Sequence, residues 1–252
     1  MIFITFSFSL FYNIPMFKEK HVVTSNDVDS SLQIRVSSLL RHMQDTATNH
    51  ADKIKFGHNE LGKDNHIWVI IRMQLEINRL PVLDEEFYIT THPGKAKAFM
   101  FPRYFQVYDK HNNLLLNASS TWVVLNYETR KVVINPFKDR KLPEEEDKND
   151  LALPEKVLGE SPALVETRKA KYSEVDMNGH INNTRYVDYI LDLHDSEFHK
   201  KKMVKSLLVN FDKEIKEGDL ISLYSNNQEP EIIHGLVDGQ VSFAAKVEYK
   251  DR

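Results

Sequence analysis

Asp176, Asn178 and His180 form an Asp-x-Asn-x-His pattern directly before a segment with helical periodicity. A carboxylate, an amide and an imidazole are the groups that accept protons, donate hydrogen bonds or orient water in hydrolytic sites. Taken singly, each has an ordinary structural role, since Asn178-Gly179 is a common tight-turn pair and a histidine near a helix start is common too. The pattern alone therefore leaves a turn and a catalytic loop both open.

Glu214 supplies a further carboxylate in the segment V-N-F-D-K-E, which we predict to belong to a strand over residues 203–215. Alone, between Lys213 and Ile215, it would be a solvated strand residue or one half of a weak ion pair. Beside an imidazole and an amide, it becomes the candidate general base of the chain.

The first half of the chain is predicted to contain one long helix followed by an antiparallel meander. Apolar residues recur at steps of three and four between Arg35 and Ile54, which is the spacing of one helical face. Alternating runs rich in β-branched and aromatic residues predict two strands within 67–91, a third over 98–108 and a fourth over 115–127.

The second half is predicted to repeat this order with a strand over 164–172, a helix over 183–198 and strands over 203–215, 219–226, 231–237 and 240–249. The segment from Val28 aligns without a gap on the segment from Val175, and the segment from Met73 aligns on that from Leu207 at an offset of about 134 residues. The repeated order predicts a tandem duplication of the α+β class, in which a curved antiparallel sheet wraps a helix twice. This arrangement resembles a double hotdog fold.

The two copies differ where chemistry is expected, because the aligned pairs are Asp29/Asp176, Ser31/Asn178, Gln33/His180 and Leu80/Glu214. The second copy therefore holds the candidate catalytic residues Asn178, His180 and Glu214. Asp176 is the fourth candidate, although Asp29 persists in the other copy, which indicates a shared structural role.

The stretch V-D-M-N-G-H-I-N-N over 175–183, with Tyr186 and Y-I-L-D behind it, resembles the signature of the acyl-acyl carrier protein (acyl-ACP) thioesterases of plants and bacteria. Thr121-Trp122-Val123-Val124-Leu125-Asn126 with Thr129-Arg130 is also similar to that family, as is Glu214. The resemblance covers roughly residues 17–250. Plant members carry a cysteine directly after the glutamate, whereas this chain has Ile215, so a mechanism that requires a thiol is excluded here.

The resemblance implies hydrolysis of acyl-ACP to a free fatty acid and holo-ACP. Glu214 would deprotonate a water, Asn178 and the helix start would stabilise the oxyanion, and His180 would either orient Glu214 and the water or donate to the developing charge. Asp176 would buttress the loop. Direct attack by Glu214, forming an anhydride, stays open.

Three other functions remain alternatives. An acyl-CoA thioesterase would use the same chemistry on another carrier, and a non-catalytic hotdog would bind acyl thioesters as a sensor. A hotdog dehydratase fits less well, because it usually shows a different arrangement of His and Asp or Glu.

The first copy, poor in polar site residues, is predicted to hold the acyl chain. The apolar candidates, which would otherwise be plain core residues, are Trp68, Met73, Phe99, Phe101 and Trp122.

The composition of the 252 residues is that of a globular chain, with 41% hydrophobic and 28% charged residues. A net charge of −4 argues against a general binder of nucleic acid or anionic membranes. The absence of cysteine excludes disulfides and a Cys nucleophile and fits a cytoplasmic location. The eight glycines form no G-x-G and no P-loop, and no H-E-x-x-H is present, so neither a nucleotide cofactor nor a metal is predicted.

The partner predicted from the resemblance is an acyl carrier protein, which is acidic, so the run Lys200, Lys201 and Lys202 is a candidate docking surface. The duplication supplies internally the pairing that single hotdogs obtain from a second subunit, so the chain is expected to be a monomer or a homodimer.

The N-terminal residues 1–16 are apolar and uncharged but too short to span a bilayer, and we interpret them as a non-native or disordered extension before a natural start at Met16. A membrane-associating tail is the alternative. Prolines and an acidic run predict an exposed linker over 136–163, between an N-terminal hotdog over 17–135 and a C-terminal hotdog over 164–252.

Overall fold

A computed structural model of the chain describes residues 16–137, 140, 142–143 and 151–252. The interpretation of residues 1–15 lies outside the described residues, as does the prediction for positions 138–139, 141 and 144–150 of the linker.

The first half contains β1 (Phe17–Val22), α1 (Val36–Lys53), a short α2 (His58–Gly62), β2 (His66–Ile77), β3 (Glu86–Pro93), β4 (Phe101–Asp109) and β5 (Leu114–Asn126). Helix α1 matches the predicted helix, because its apolar face is buried against the sheet, including Leu39, Leu40 and Met43. It ends where Lys55 adopts a φ of 64°, which a helix cannot continue through.

Strand β1 was not predicted from the sequence, because half of its six residues, FKEKHV, are charged. It is an edge strand that pairs only with β3 among the described strands. Charged side chains on an edge discourage pairing with other chains. The charged residues that prevented the prediction of β1 are therefore explained by its position at the edge of the sheet.

The second half contains β6 (Ala163–Lys169), a 3₁₀ turn (Tyr172–Glu174), α3 (Asn183–Leu191), α4 (Ser196–Lys201), β7 (Lys202–Phe211), β8 (Leu220–Ser225), β9 (Glu231–Val237) and β10 (Gln240–Asp251). The single predicted helix over 183–198 is wrong, because it divides into α3 and α4. Asp195 starts the second helix, and its Oδ1 accepts a hydrogen bond of 2.9 Å from the Phe198 N–H.

All ten strands form one sheet in the order β1-β3-β4-β5-β2-β7-β10-β9-β8-β6. The first five and the last five have the same internal order when β1 to β5 are matched to β6 to β10. This topology, wrapped around α1 and α3, confirms the predicted α+β double hotdog.

The two halves join through β2 and β7, which pair antiparallel only from Arg72 to Glu76 against Ser206 to Asn210. At an offset of 134 residues, Arg72 of the first half corresponds to Ser206 of the second, and Glu76 corresponds to Asn210. The pair at one end of the ladder, Arg72 with Asn210, is therefore equivalent to the pair at the other end, Ser206 with Glu76. The register thus agrees with the offset found in the sequence, and Gln74 and Leu208 lie on the internal two-fold axis. We call these five pairs the central ladder.

The described part of the linker contains both exposed residues, as predicted, and residues that pack on the sheet. Leu151 and Val157 are buried. The Val157 N–H donates to Oδ1 of the buried Asn210 at 2.7 Å, and Asn210 Nδ2 donates to the Glu155 carbonyl at 3.0 Å. An apolar residue every few positions and one buried amide are enough to hold this segment against β7.

Candidate active site

The loops that precede α1 and α3 have the same backbone hydrogen bonds at an offset of 147 residues. In the first, the Asp29 N–H donates to the Gln33 carbonyl at 2.9 Å, and in the second the Asp176 N–H donates to the His180 carbonyl at 2.8 Å. Bridges between Val28 and Ile34 and between Val175 and Ile181 close both loops. The local fold is therefore independent of the side chains that differ.

Asp176 builds its loop in the same way as Asp29. Its Oδ1 accepts the Asn178 N–H at 2.8 Å, and Asp29 Oδ1 accepts the Ser31 N–H at 2.8 Å. This hydrogen bond to the residue two positions on is typical of aspartate in turns. The structure gives Asp176 the shared structural role that the sequence indicated.

One position in each loop has a positive φ, which is 79° at Gly179 and 60° at Leu32. Glycine adopts this conformation without a steric cost, whereas leucine does so with strain. The loop before α3 is therefore the less strained of the two at this point.

Helix α3 begins at a capped end. Asn182 Oδ1 accepts hydrogen bonds from the Thr184 N–H at 2.9 Å and from Thr184 Oγ1 at 2.8 Å. Its counterpart Arg35 makes no side-chain cap at α1. The cap fixes the first turn of α3 next to Asn178 and His180.

Glu214 lies in the loop after β7, so the predicted strand over 203–215 ends too late. The loop is held to α3, because the Ile181 N–H donates to the Ile215 carbonyl at 2.8 Å and the Ile215 N–H donates to the Tyr186 hydroxyl at 3.2 Å. Tyr186 and Ile215 are both buried. The buried isoleucine thus anchors the loop, and Glu214 beside it faces the solvent side.

Glu214 and His180 meet at this point, with 3.2 Å between Glu214 Oε2 and His180 Nε2. The imidazole is 20% exposed and the carboxylate 39% exposed. Burial lowers the pKa of His180 below the ordinary 6.5, and the positive charge of Arg130 lowers it further, against the opposing effect of Asp176. His180 is therefore neutral near pH 7 and can donate one hydrogen bond to the carboxylate.

Arg130 forms an ion pair with Oε1 of Glu214, and it comes from the other half of the molecule. The turn after β5 positions it, because Asn126 Oδ1 accepts the Thr129 N–H at 2.9 Å and the Arg130 N–H donates to the Asn126 carbonyl at 3.0 Å. No role was predicted for this arginine. The signal was present in the Asn126 and Thr129-Arg130 segment, which resembles the family but lies far from Glu214 in sequence.

A cleft of about 740 Å³ lies where β2 and β7 separate beyond the central ladder. Asn178, His180 and Glu214 line it on one side. Trp68 and Trp122 line the other side, together with residues of α1 that the sequence did not single out, namely Gln44, Asp45 and Thr48.

A smaller apolar cavity of about 80 Å³ adjoins the cleft, and Thr48, Trp68 and Trp122 line both. The two indole N–H groups donate elsewhere, that of Trp68 to the Phe56 carbonyl and that of Trp122 to Ser120 Oγ, each at 2.8 Å. The ring faces of Trp68 and Trp122 therefore form apolar walls that the cleft and the small cavity share.

The five apolar candidates fall in three places. Trp68, Phe101 and Trp122 line the small cavity, and Phe99 lines the cleft. Met73 instead lies in the main core at 5% exposure, opposite Val209 in the central ladder. Its position indicates a packing role.

The lysine run lies away from Glu214. Lys200 and Lys202 line a second cavity with the carboxyl-terminal part of α3, whereas Lys213 lines the cleft itself. Within the described residues, no group of three or more His, Asp or Glu side chains is placed to hold a metal ion. No described helix has the length and apolarity to cross a bilayer.

Family models match both halves of the chain. The acyl-ACP thioesterase N-terminal domain matches residues 15–136, and the C-terminal domain of the same family matches residues 161–251.

Similar sequences and structures agree with this match. An acyl-[acyl-carrier-protein] hydrolase of Cuphea viscosissima is 25% identical over 225 residues, which cover 82% of this chain and 54% of that protein. A palmitoyl-acyl carrier protein thioesterase of Arabidopsis thaliana is 25% identical over 79% of this chain and 52% of its own length. Both are chloroplastic proteins. The chain thus spans about half the length of these curated relatives.

Among solved structures, an acyl-ACP thioesterase from Bacteroides thetaiotaomicron is similar with a TM-score of 0.84 and 27% identity, covering 92% of this chain and 97% of that one. The 12:0-ACP thioesterase from Umbellularia californica has a TM-score of 0.76 at 18% identity, covering 94% and 98%, which supports the fold.

Proposed function

Since the chain belongs to the acyl-ACP thioesterase family, we propose that it hydrolyses the thioester of acyl-ACP to a free fatty acid and holo-ACP. The observation that carries this proposal is the Glu214–His180 pair, which lines a cleft that shares its Trp68 and Trp122 walls with an apolar cavity. Hydrolysis of a fatty acyl thioester requires a carboxylate base beside apolar walls of this kind.

Glu214 acts as the general base in the proposed mechanism. Its carboxylate takes a proton from water as the water oxygen attacks the thioester carbonyl. The tetrahedral intermediate then expels the thiolate, which receives the proton and leaves as the thiol. The thiolate is a good leaving group, because the ordinary pKa of a thiol is about 8.5.

His180 and Arg130 hold Glu214 in place in this mechanism. The neutral imidazole lies 3.2 Å from one carboxylate oxygen, and the guanidinium pairs with the other. The two contacts together fix the orientation of the carboxylate beside the cleft.

The oxyanion is stabilised by the start of α3. The positive end of the helix dipole favours a developing negative charge at this point. Asn178 Nδ2 lies 3.5 Å from Asp176 Oδ2, a weak contact that leaves this amide able to turn toward the substrate.

The two halves divide the work in this proposal. Residues 17–135 hold the acyl chain along Trp68 and Trp122, and residues 164–252 carry the catalytic groups, with 136–163 between them. Anhydride formation by Glu214 is the competing route, and a single turnover in labelled water distinguishes it, because label would then enter the protein carboxylate.

The carrier protein is proposed to dock on the face that opens onto the cleft. Lys213 lies on that cleft, whereas Lys200 and Lys202 surround the other cavity. Replacing Lys213 by Glu should therefore raise KM for acyl-ACP more than the triple replacement of the run Lys200 to Lys202. A larger rise in KM for the triple variant than for Lys213→Glu would instead indicate that the lysine run is the docking surface. A cytoplasmic location and a monomeric or dimeric state stay predictions.

The experiment that tests the proposed function compares thiol release from one acyl chain carried by ACP and by CoA. Wild type, Glu214→Ala and the matched control Glu217→Ala are assayed together, since Glu217 is an exposed glutamate of the same loop. We expect faster release from ACP, lost only in Glu214→Ala. Thiol release mainly from acyl-CoA would indicate an acyl-CoA thioesterase. Binding of the acyl thioester without thiol release in all three proteins would indicate a sensor.

A further inference from the structure

A second cavity of about 300 Å³ lies at the opposite end of the central ladder, where β7 separates from β2. It is the internal-symmetry counterpart of the catalytic cleft. Asp29, Ile34 and Leu80 line it at the positions that Asp176, Ile181 and Glu214 occupy in the cleft. The duplication has therefore kept two cavities and placed the candidate base in one of them.

The floor of the second cavity is apolar. Ile34, Leu80 and Val204 line it and are each at most 5% exposed. Leu80 stands where the cleft has Glu214, and Gln33 stands where the loop before α3 has His180, so the Glu214–His180 pair is not repeated here.

His194 and His199 also line the cavity, but each has a partner, Glu231 at 2.7 Å and the Leu191 carbonyl at 2.9 Å. The cavity can therefore hold an acyl chain without the proposed catalytic pair.

The rim of the second cavity carries an unmatched positive charge. Its three carboxylates already have arginine partners, Asp29 with Arg252 at 3.1 Å, Asp188 with Arg185 at 3.0 Å and Asp192 with Arg168 at 3.2 Å. Of the rim lysines, Lys200 pairs with Glu197 and Lys202 with Asp251. Arg35 is exposed and has no ion pair with any residue in the described part of the chain.

We propose that this second cavity binds a fatty carboxylate, with the chain on Ile34, Leu80 and Val204 and the head group on Arg35. An apolar floor below an unpaired guanidinium suits an anionic amphiphile, because burial of the chain and pairing of the head act together. The choice of a carboxylate rests on the proposed function, of which it is the product.

Decanoate binding tests this proposal by two signals. Both tryptophans of the chain, Trp68 and Trp122, line the catalytic cleft, so their fluorescence reports that side alone. Calorimetry reports all binding. We expect calorimetry to find two equivalents of decanoate and fluorescence to follow one of them.

In Arg35→Glu, the Kd of decanoate for the second cavity, which calorimetry detects and fluorescence does not, should rise tenfold or more. The substitution should leave the fluorescence titration and thiol release from acyl-ACP unchanged. Lys110→Glu, the same charge change at an exposed position in a distant turn, is the control. Decanol should bind the second cavity at least tenfold more weakly than decanoate.

A calorimetric titration with one equivalent that fluorescence also follows, or an equal affinity for decanol, would overturn the proposal. Displacement of decanoate by inorganic phosphate alone would show a simple anion site and would also overturn it. The proposed function is tested separately by thiol release in Glu214→Ala, so either result can fail without the other.

Discussion

The loops before α1 and α3 share their backbone and differ in their chemistry. Both close with the same bridge and the same aspartate hydrogen bond, whereas Asn178 and His180 stand where the first loop has Ser31 and Gln33. The aspartate that builds the loop was kept in both copies. The comparison teaches that the groups proposed for catalysis do not hold the loop together, so they can be changed without loss of the fold.

The largest effect is expected from Glu214→Gln, which keeps the shape of the side chain and removes its charge. We expect kcat/KM for thioester hydrolysis to fall by about 10² to 10⁴, the contribution of a positioned general base. Steady-state kinetics measure this, with Glu217→Gln as the control. Wild-type turnover in Glu214→Gln would remove the contrast between Glu214 and Leu80 on which the comparison depends.

A smaller loss is expected from Arg130→Met, because the ion pair with Glu214 is partly exposed and contributes less than a buried pair. We expect about a tenfold fall in kcat/KM, because Glu214 loses the guanidinium that holds one of its carboxylate oxygens. Lys131→Met is the neighbouring control. A change in KM with kcat unchanged would assign Arg130 to substrate binding.

Asp176→Ala and Asp29→Ala together test the shared structural role. Each removes a side-chain hydrogen bond to a backbone N–H, which should lower the free energy of unfolding by about 1 kcal/mol. Asp29→Ala also removes the ion pair with Arg252, so it should be the more destabilising of the two. Urea denaturation measures this. Only Asp176→Ala should also lower turnover, because its loop carries Asn178 and His180. If Asp29→Ala left stability unchanged while Asp176→Ala did not, the two loops would not be equivalent.

The smallest effect is expected from the pH dependence of stability in His180→Gln, which installs the side chain of Gln33. The pKa of His180 is lower in the folded chain than its ordinary 6.5, because of burial and Arg130. Unfolding therefore takes up protons, and the wild type gains stability as pH rises through this range.

The free energy of unfolding of the wild type, minus that of His180→Gln, should consequently be larger at pH 8 than at pH 5. Urea denaturation at the two pH values measures this difference. An equal difference at both pH values would mean that the imidazole titrates normally. The difference between His180 and Gln33 in the two loops would then have no electrostatic effect on stability.

Local patterns in the sequence predicted much of this molecule. The helical face between Arg35 and Ile54, the alternating strands and the aligned segments from Val28 and Val175 each depend on neighbouring residues, so the double hotdog followed from them. The proximity of His180 and Glu214 followed from the alignment of the copies together with the family resemblance.

Contacts between distant segments were not predictable in the same way. Arg130 reaches Glu214 only because β5 and β7 flank the same strand, which no local pattern reveals. The division into α3 and α4 depended on the cap at Asp195, a local signal that the continuous helical periodicity concealed. The burial of Leu151 was hidden by the charged, proline-rich composition around it.

The short central ladder has a consequence for how this fold can vary. Five pairs of strand residues join the sheets of the two halves, and the strands diverge at both ends to form the two cavities. Extending the pairing beyond Arg72 would narrow the cleft at Glu214, and by the internal two-fold axis the matching extension beyond Ser206 would narrow the other cavity. Cohesion between the halves and access to their interior therefore compete for the same stretch of backbone. A more tightly joined molecule would be a more tightly closed one.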